Sequence, residues 1–298
     1  MRLGMVGLGK MGGNMAERLR RHGHEVIGYA RHGEDRQVHS LQALVEALSA
    51  PRAVWLMVPA GAATDDTVAE LAELLAPGDV VVDGGNSYFR HSQVHAAALA
   101  EQGIGFVDAG VSGGVWGLEE GYCLMVGGSP DHVARLQPAF DALAPAGGFA
   151  HVGPIGSGHF TKMVHNGVEY GMMQSFAEGY ELLTRCEVDI DVPAALSAWR
   201  HGSVVRSWLL ELLVSALEED PGLAGIRGYA SDSGEGRWTV QEGVEAGVPT
   251  PAISAALYAR FASQQADSDA MKVIAALRNQ FGGHAVRSSS DGSGGEAA

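Results

Sequence analysis

Positive charge is scarce in this chain: 20 Lys and Arg stand against 35 Asp and Glu, a formal net charge of −15 over 298 residues. A nucleic-acid binder needs a basic surface to displace counterions from phosphates, so that class is excluded. A small anionic ligand is not, because a few cations in one cleft outweigh a remote negative surface. Cysteine is nearly absent. Cys123 and Cys186 make neither a disulfide framework nor a thiolate cluster for zinc, and both lie in apolar runs that suggest core filling. No stretch approaches ~18 uninterrupted apolar residues, so no membrane-spanning helix is expected. The opening Met1-Arg2-Leu3-Gly4-Met5-Val6 leads straight into a strand pattern and leaves no room for a signal peptide. The expectation is a soluble, cytoplasmic protein with neither nucleic acid nor membrane as partner.

Apolar residues make up 46% and charged residues 18%, enough to bury a core. Glycine is plentiful, 42 of 298 residues, about twice its usual share, which points to tight turns and close backbone approaches. At ~150 residues per domain, the length accommodates two domains. The first half alternates short β-branched runs with helical patterns, the mark of a parallel sheet covered by helices. Candidate strands are Leu3–Val6, Glu25–Tyr29, Ala53–Val58, Val80–Asp83, Gly105–Asp108, Cys123–Val126 and Phe149–Val152. Ser40 is placed to cap a helix whose face is Leu41, Leu44, Val45 and Leu48.

The texture changes near residue 155. From Gly156-Ser157-Gly158 the chain runs free of proline and turn clusters to Asp191-Val192-Pro193. A helix of that length is too long for a crossover in a small sheet and natural as the centre of a helical domain. Ala194–Arg200, Val204–Leu217, Pro251–Ser263 and Asp267–Phe281 are also helical in pattern. The expected architecture is an α/β Rossmann-type N-terminal domain over 1–155 and an all-α domain over 156–286. A flexible tail over 287–298 has nothing to bury.

Gly7-Leu8-Gly9-Lys10-Met11-Gly12 follows the first strand and opens the first helix. The first glycine allows a tight turn, the second lets a pyrophosphate approach the backbone, and the third permits close helix–strand packing. The helix N-terminus adds donors and positive dipole, so the segment predicts dinucleotide binding. Val58 and Pro59, at the close of the third strand, are expected on the cofactor as well. An NAD site places Asp or Glu at the end of the second strand, whereas this chain has Ala30, Arg31 and His32, with Arg36 nearby. A guanidinium there suits a 2′-phosphate, which favours NADP, with NAD as the alternative. Between the second and third strands only Ala30–His39 precede the helix at Ser40. A further crossover strand needs a dozen or more residues, so the adenosine side of the pocket is expected to be reduced.

Lys162, Asn166 and Glu169 are spaced four and three along the long helix and share one face. A lysine partly desolvated beside a cationic nicotinamide can lose its proton and act as base. A glutamate two turns away could act as acid, with His165 and Asn166 holding substrate hydroxyls.

Five segments in order resemble the 6-phosphogluconate dehydrogenase family: Gly7–Gly12, Asp83–Ser87, Val111–Gly114, Lys162–Tyr170, and Gly236–Thr239 followed by Leu257–Arg260. The length and Val115–Tyr122 are similar to the family's short form, and the resemblance runs to about His284. It implies oxidative decarboxylation of 6-phospho-D-gluconate to ribulose 5-phosphate without a metal, in the pentose phosphate pathway or gluconate utilisation. Lys162 would be the base and Glu169 the acid. Asn86 would contact substrate and nicotinamide, Ser112, Gly113 and Gly114 the carboxylate end, and His165 and Asn166 the hydroxyls. Tyr170 and Arg260 would hold the phosphate. Arg278 and His284 would come from a neighbouring subunit, which implies a homodimer or homotetramer with shared sites.

Longer members carry a lysine and a threonine where this chain has Ser233 and Glu235, an exchange expected to weaken phosphate binding unless Glu235 turns away. Two other readings compete. One is a β-hydroxyacid dehydrogenase for a non-phosphorylated acid, which shares Gly7–Gly12, Ser112–Gly114 and Lys162. The other is a non-catalytic NADP-binding sensor, which would be expected to have lost Lys162 or Glu169. Carbon dioxide release is a discriminator: the phosphogluconate enzyme evolves it, a simple hydroxyacid dehydrogenase need not, and a sensor produces none.

Overall fold

Strands that are apolar on both sides need both faces covered, and the chain up to Gly153 supplies strand and cover in alternation. In a computed structural model that describes residues 1–33 and 36–287, the order begins β1 (Arg2–Val6), α1 (Lys10–Arg21), β2 (Glu25–Tyr29), α2 (Leu41–Ala47), β3 (Ala53–Leu56), α3 (Ala62–Leu74) and β4 (Val80–Asp83). It continues α4 (Phe89–Ala100), β5 (Gly105–Ser112), α5 (Gly117–Glu120), β6 (Cys123–Gly128), α6 (Pro130–Leu143) and β7 (Phe149–Gly153). The expected helix after Ser40 forms, with Ser40 Oγ accepting from the Ala43 amide at 3.0 Å.

These strands build one seven-stranded sheet in the order β2-β1-β3-β4-β5-β6-β7. β1 to β5 are parallel, but β6 runs antiparallel to β5, with Ala109 opposite Val126, and β7 is parallel to β6. The uniformly parallel sheet expected from the pattern is thus corrected at β6. Its connection is too short for a crossover and turns back through a 3-10 turn at Gly114–Trp116 and the short α5. β2 is an edge strand, and an isolated bridge between Tyr29 and Val38 stands beyond it.

Alternation along the strands sends neighbouring residues into two cores. Met5, Trp55 and Val82 join Met15, Leu19 and Phe140 of α1 and α6, whereas Val6, Leu56 and Val81 join Leu44, Leu71 and Leu99 of α2, α3 and α4. Each such side chain contributes about 1.5–3 kcal/mol by leaving water. The cysteines take no part. Cys123 is exposed at the first position of β6 and Cys186 is partly exposed, so the expectation that both fill the core is overturned.

The remainder is helical: α7 (Ser157–Arg185), α8 (Val192–Trp199), α9 (Trp208–Glu219), α10 (Glu235–Glu245), α11 (Pro251–Ser263) and α12 (Asp269–Gly282). α9 starts later than the pattern suggests, because Ser207 caps it by accepting from Leu210 N at 3.2 Å. α10 is absent from the sequence expectation because Gly236 and Gly243 weaken its helical signal. Gly236 is required there by packing, since a Cβ would lie 2.5 Å from the Tyr170 ring. No helix among the described residues is long and apolar enough to cross a membrane. The tail expected over 287–298 lies, apart from Arg287, outside the described residues.

Two compact units result. One comprises Met1–Ser175 with Ser233–Ser254, and the other Phe176–Asp232 with the chain from Ala255 onward. The division falls inside α7 rather than at the 155/156 boundary of the sequence pattern. α10 belongs to the first unit because Thr239 Oγ1 donates to the Met163 carbonyl of α7 at 2.7 Å. The second unit has its own core of Val192, Leu196, Leu210, Val214 and Leu217, packed by Phe176, Tyr180 and Leu183.

The start of α7 is anchored by one fully buried side chain. Asp108 of β5 accepts from the Gly156 amide at 2.7 Å and the His159 amide at 2.8 Å, answering donors that the first helical turn leaves open. Gly158 makes the approach feasible, as a Cβ there would lie 2.4 Å from the Asp108 carbonyl oxygen. Asp108→Ala is therefore expected to lower the unfolding free energy by about 3 kcal/mol, with Asp108→Asn intermediate, in urea titrations.

Candidate active site

The loops at the carboxyl ends of β1, β3 and β4 meet. Gly7 has φ +93°, and a Cβ there would stand 2.4 Å from the Met57 carbonyl oxygen, so only glycine fits this turn. A Cβ on Gly12 would come within 2.0 Å of the Gly7 carbonyl oxygen, whereas one on Gly9 would meet nothing within 4 Å. The first and third glycines thus serve packing, and the second faces open space. α1 starts beyond Gly9 with no side-chain cap and no acidic residue in its first turn, leaving its amide donors for an anion. Leu8 and Met11 are half-buried beside the turn, and Lys10 is exposed. This cradle fits a dinucleotide pyrophosphate.

Val58 and exposed Pro59 form the neighbouring loop, and a Cβ on Gly85 would stand 3.0 Å from the Val58 carbonyl oxygen. Asn86 follows, exposed at the end of the same crevice. Arg31 is exposed just after β2, while Arg36 Nη1 donates to the Arg31 carbonyl at 3.0 Å and ties the loop together.

The polar face of α7 lies in the same unit. Lys162 is only 6% exposed, and its stem presses on β5 so closely that a Cβ at Gly110 would lie 2.4 Å from Lys162 Cβ. Burial pushes the ammonium below its ordinary pKa, against the opposing pull of Glu169, Glu235 and Cys123. Removing the charge from water disfavours the protonated form, so the amine is more basic-ready near neutrality than a surface lysine.

His165 Nε2 is 3.5 Å from Ser112 Oγ, and His165 Nδ1 is 3.0 Å from Asn166 Oδ1 and 3.9 Å from Glu169 Oε2. Ser112 leads into Gly113 and Gly114, both at positive φ (132° and 55°), a turn that favours glycine twice over. The structure therefore brings together Ser112, Lys162, His165, Asn166 and Glu169. Tyr170 is buried one position further, its ring against Gly236 and its hydroxyl 3.1 Å from both Ser233 Oγ and the Ser233 amide.

The other residues expected at a phosphate belong to the second unit. Arg260 Nη1 donates to the Ser231 carbonyl at 2.9 Å. Arg278 is exposed on α12, and the His284 ring stands edge-on to Phe281 at 6.4 Å. Among the described residues, no group of three or more His, Cys, Asp or Glu could hold a metal ion.

Two features escape the sequence reading. Arg90 Nη2 donates to Glu242 Oε2 at 2.9 Å, which clamps the segment after Asn86 to α10. Glu235, read from the sequence only as a cost to phosphate binding, is 1% exposed and turned inward, near enough to Lys162 and Glu169 to feel both charges. The signal that could have found it is the helical spacing of Glu235, Gly236, Thr239 and Gly243, the buried face of α10.

Comparison with known proteins finds matches over both halves of the chain. Residues 2–153 match the NAD binding domain of 6-phosphogluconate dehydrogenase, and residues 158–291 match the 6-phosphogluconate dehydrogenase C-terminal domain. A Haloferax volcanii protein named as an NAD(+)-dependent, decarboxylating 6-phosphogluconate dehydrogenase is 41% identical over 302 residues, covering 98% of this chain and 100% of its own. Bacillus subtilis YqeC is 39% identical over 296 residues, 96% of this chain and 99% of its own. The Plasmodium falciparum 6-phosphogluconate dehydrogenase structure, described with its cofactor NADP+ and its substrate 6-phosphogluconate, superposes with a TM-score of 0.78 at 27% identity. That match covers 95% of this chain and 65% of the longer Plasmodium one. With both halves matched, and relatives aligned from end to end, the chain belongs to the 6-phosphogluconate dehydrogenase family.

Proposed function

We propose that the protein catalyses the oxidative decarboxylation of 6-phospho-D-gluconate to D-ribulose 5-phosphate and carbon dioxide, with reduction of NAD(P)+. The observation that carries this reading is Lys162, a buried amine with a depressed pKa on one helix face with Asn166 and Glu169. A neutral amine takes the proton of the substrate's C3 hydroxyl. The resulting ammonium then stabilises the oxygen on which negative charge develops as the carboxylate leaves, and no metal is required. Glu169 is the acid that returns a proton to the enol carbon.

Ser112, Gly113 and Gly114 are assigned to the carboxylate end, His165 and Asn166 to the hydroxyls, and Asn86 to both substrate and nicotinamide. The dinucleotide supplies the hydride acceptor when bound over Gly7–Gly12, beside Val58 and Pro59. NADP is favoured over NAD because Arg31 offers a guanidinium just past β2. Tyr170 and Arg260 are assigned to the phosphate, joined by Arg278 and His284 from a neighbouring subunit of a homo-oligomer. The functional division is a dinucleotide-binding domain over 1–155 and a substrate and dimerisation domain over 156–286. The enzyme is placed in the cytoplasm, in the pentose phosphate pathway or gluconate utilisation.

Three measurements test these assignments. kcat/KM for 6-phosphogluconate should exceed that for gluconate by at least about 100-fold, the loss expected when the partners assigned to the phosphate go unpaired, with carbon dioxide released in step with NAD(P)H. A preference for gluconate would overturn the substrate. Lys162→Met should lower kcat by about 100-fold or more while cofactor affinity, measured by fluorescence titration, stays within about twofold. Arg31→Ala should raise the KM for NADP much more than that for NAD, and an equal effect on both would return Arg31 to the solvated surface.

A further inference from the structure

α10 is fastened against α7 by small residues. Thr239 Oγ1 donates to the Met163 carbonyl, a Cβ on Gly167 would lie 2.6 Å from the Thr239 methyl carbon, and Gly236 lets the Tyr170 ring close on the helix. Thr239 Oγ1 also bonds the Glu235 carbonyl at 2.9 Å, so this contact ties the first turn of α10 to the turn of α7 that carries Lys162. Glu235 opens that turn, is 1% exposed, and has no hydrogen-bond partner for Oε2. A carboxyl oxygen buried without a donor is costly, and a native fold retains few of them. The charged groups acting on Glu235 are Lys162 and Glu169 of α7, while Cys123 of β6 faces Lys162 from the sheet and His165 lies 3.9 Å from Glu169.

We infer that Glu235 is a positioning residue for the base: ionised, it holds Lys162 as the ammonium, and protonated, it leaves the amine free to accept the substrate's proton. This inference rests on the assignment of Lys162 as base and adds to it the group that sets its protonation. Two arrangements of the pair carry no net charge, carboxylate with ammonium and carboxylic acid with amine, and they differ only in where one proton sits. In an interior of low dielectric a lone charge on either partner is expensive, which favours both arrangements over states with one uncompensated charge. Burial pushes the Glu235 carboxyl up to about 7 and pushes Lys162 down, and each is among the charges acting on the other.

The sign of the effect follows. A carboxylate beside an amine raises the pKa of that amine, so replacing the charge by an amide of the same size lowers it. In Glu235→Gln, the acid limb of kcat/KM should move about one pH unit or more toward lower pH. Glu235→Asp, which retains the acid, should keep the limb near its original position. A second readout is free of turnover: the rate at which acetic anhydride acylates Lys162, followed by mass spectrometry of the peptide, should show the same shift. Thermal melts check the titration of Glu235 itself. An acid whose pKa rises from 4.5 to about 7 on folding stabilises the fold at low pH and loses that contribution as pH rises through about 7. The Tm of Glu235→Gln should therefore gain on that of the parent protein across this window.

An acid limb and an acylation profile unmoved by Glu235→Gln would overturn the inference, as would a Tm difference independent of pH. If Lys162→Met retains turnover, the assignment of the base fails. If Lys162→Met is inactive and Glu235→Gln leaves both profiles in place, the base stands and only the role of Glu235 falls.

Discussion

The two hydrogen bonds from the Gly156 and His159 amides to the Asp108 carboxyl are the constraint on which the site depends. They fix the first turn of α7 to the middle of β5, and an α-helix is stiff enough that its first turn sets the positions of those after it. His159 adds to the anchor through its Nδ1, 2.7 Å from Ser92 Oγ of α4. From that point each turn of α7 falls where its side chain is needed. Lys162 backs onto β5 at Gly110, His165 meets Ser112 at the end of that strand, and Tyr170 meets the turn before α10. Gly110, Gly127 and Gly158 lie where a Cβ would strike a neighbour at under 3 Å, so helix and sheet approach more closely than side chains would allow, and Gly167 does the same for α7 and α10. The abundance of glycine thus has a definite use beyond tight turns.

Close approach excludes water, and water exclusion is what turns ordinary residue types into reactive ones. Lys162 differs from Lys272 less in chemistry than in surroundings. Lys272 is exposed and its ammonium is held above its ordinary pKa by Asp267 and Asp269, while burial drives Lys162 the other way. The same desolvation acts on Glu235 with opposite sign because the charged form of an acid is the deprotonated one. The buried Lys162 and the buried Glu235 are two results of the packing of α7 against β5 and α10. The dinucleotide cradle works by a different principle, since its anion site consists of unoccupied backbone donors at the start of α1 and needs no charged side chain.

Much of this was legible in the chain. All seven strands fall where the β-branched runs stand, and the cap at Ser40 is made as the residue type suggests. The spacing of Lys162, His165, Asn166 and Glu169 along a helix also holds, because a side chain's direction on a helix depends only on its place in the period. What the pattern missed shares a cause. β6 runs against β5 because the connection between them is short, a fact about loop length rather than about either strand's residues. Cys123 is exposed because it occupies the first position of β6, although the residues after it are buried. α10 is concealed by its own glycines, whose purpose appears only when Tyr170 and Thr250 are seen to pack on them.

The sequence by itself determined what periodicity and local stereochemistry decide: a strand–glycine–helix cradle for a dinucleotide, a long helix with a polar face, and the family to which both belong. Only the tertiary structure decided what depends on which distant surface arrives beside a residue. It reversed the sheet at β6, placed Arg260, Arg278 and His284 in a second unit, and turned Glu235 inward toward Lys162. The reason is that local geometry is carried by a residue and its near neighbours in the chain. Desolvation, and the reactivity that follows from it, belongs to the whole packed neighbourhood.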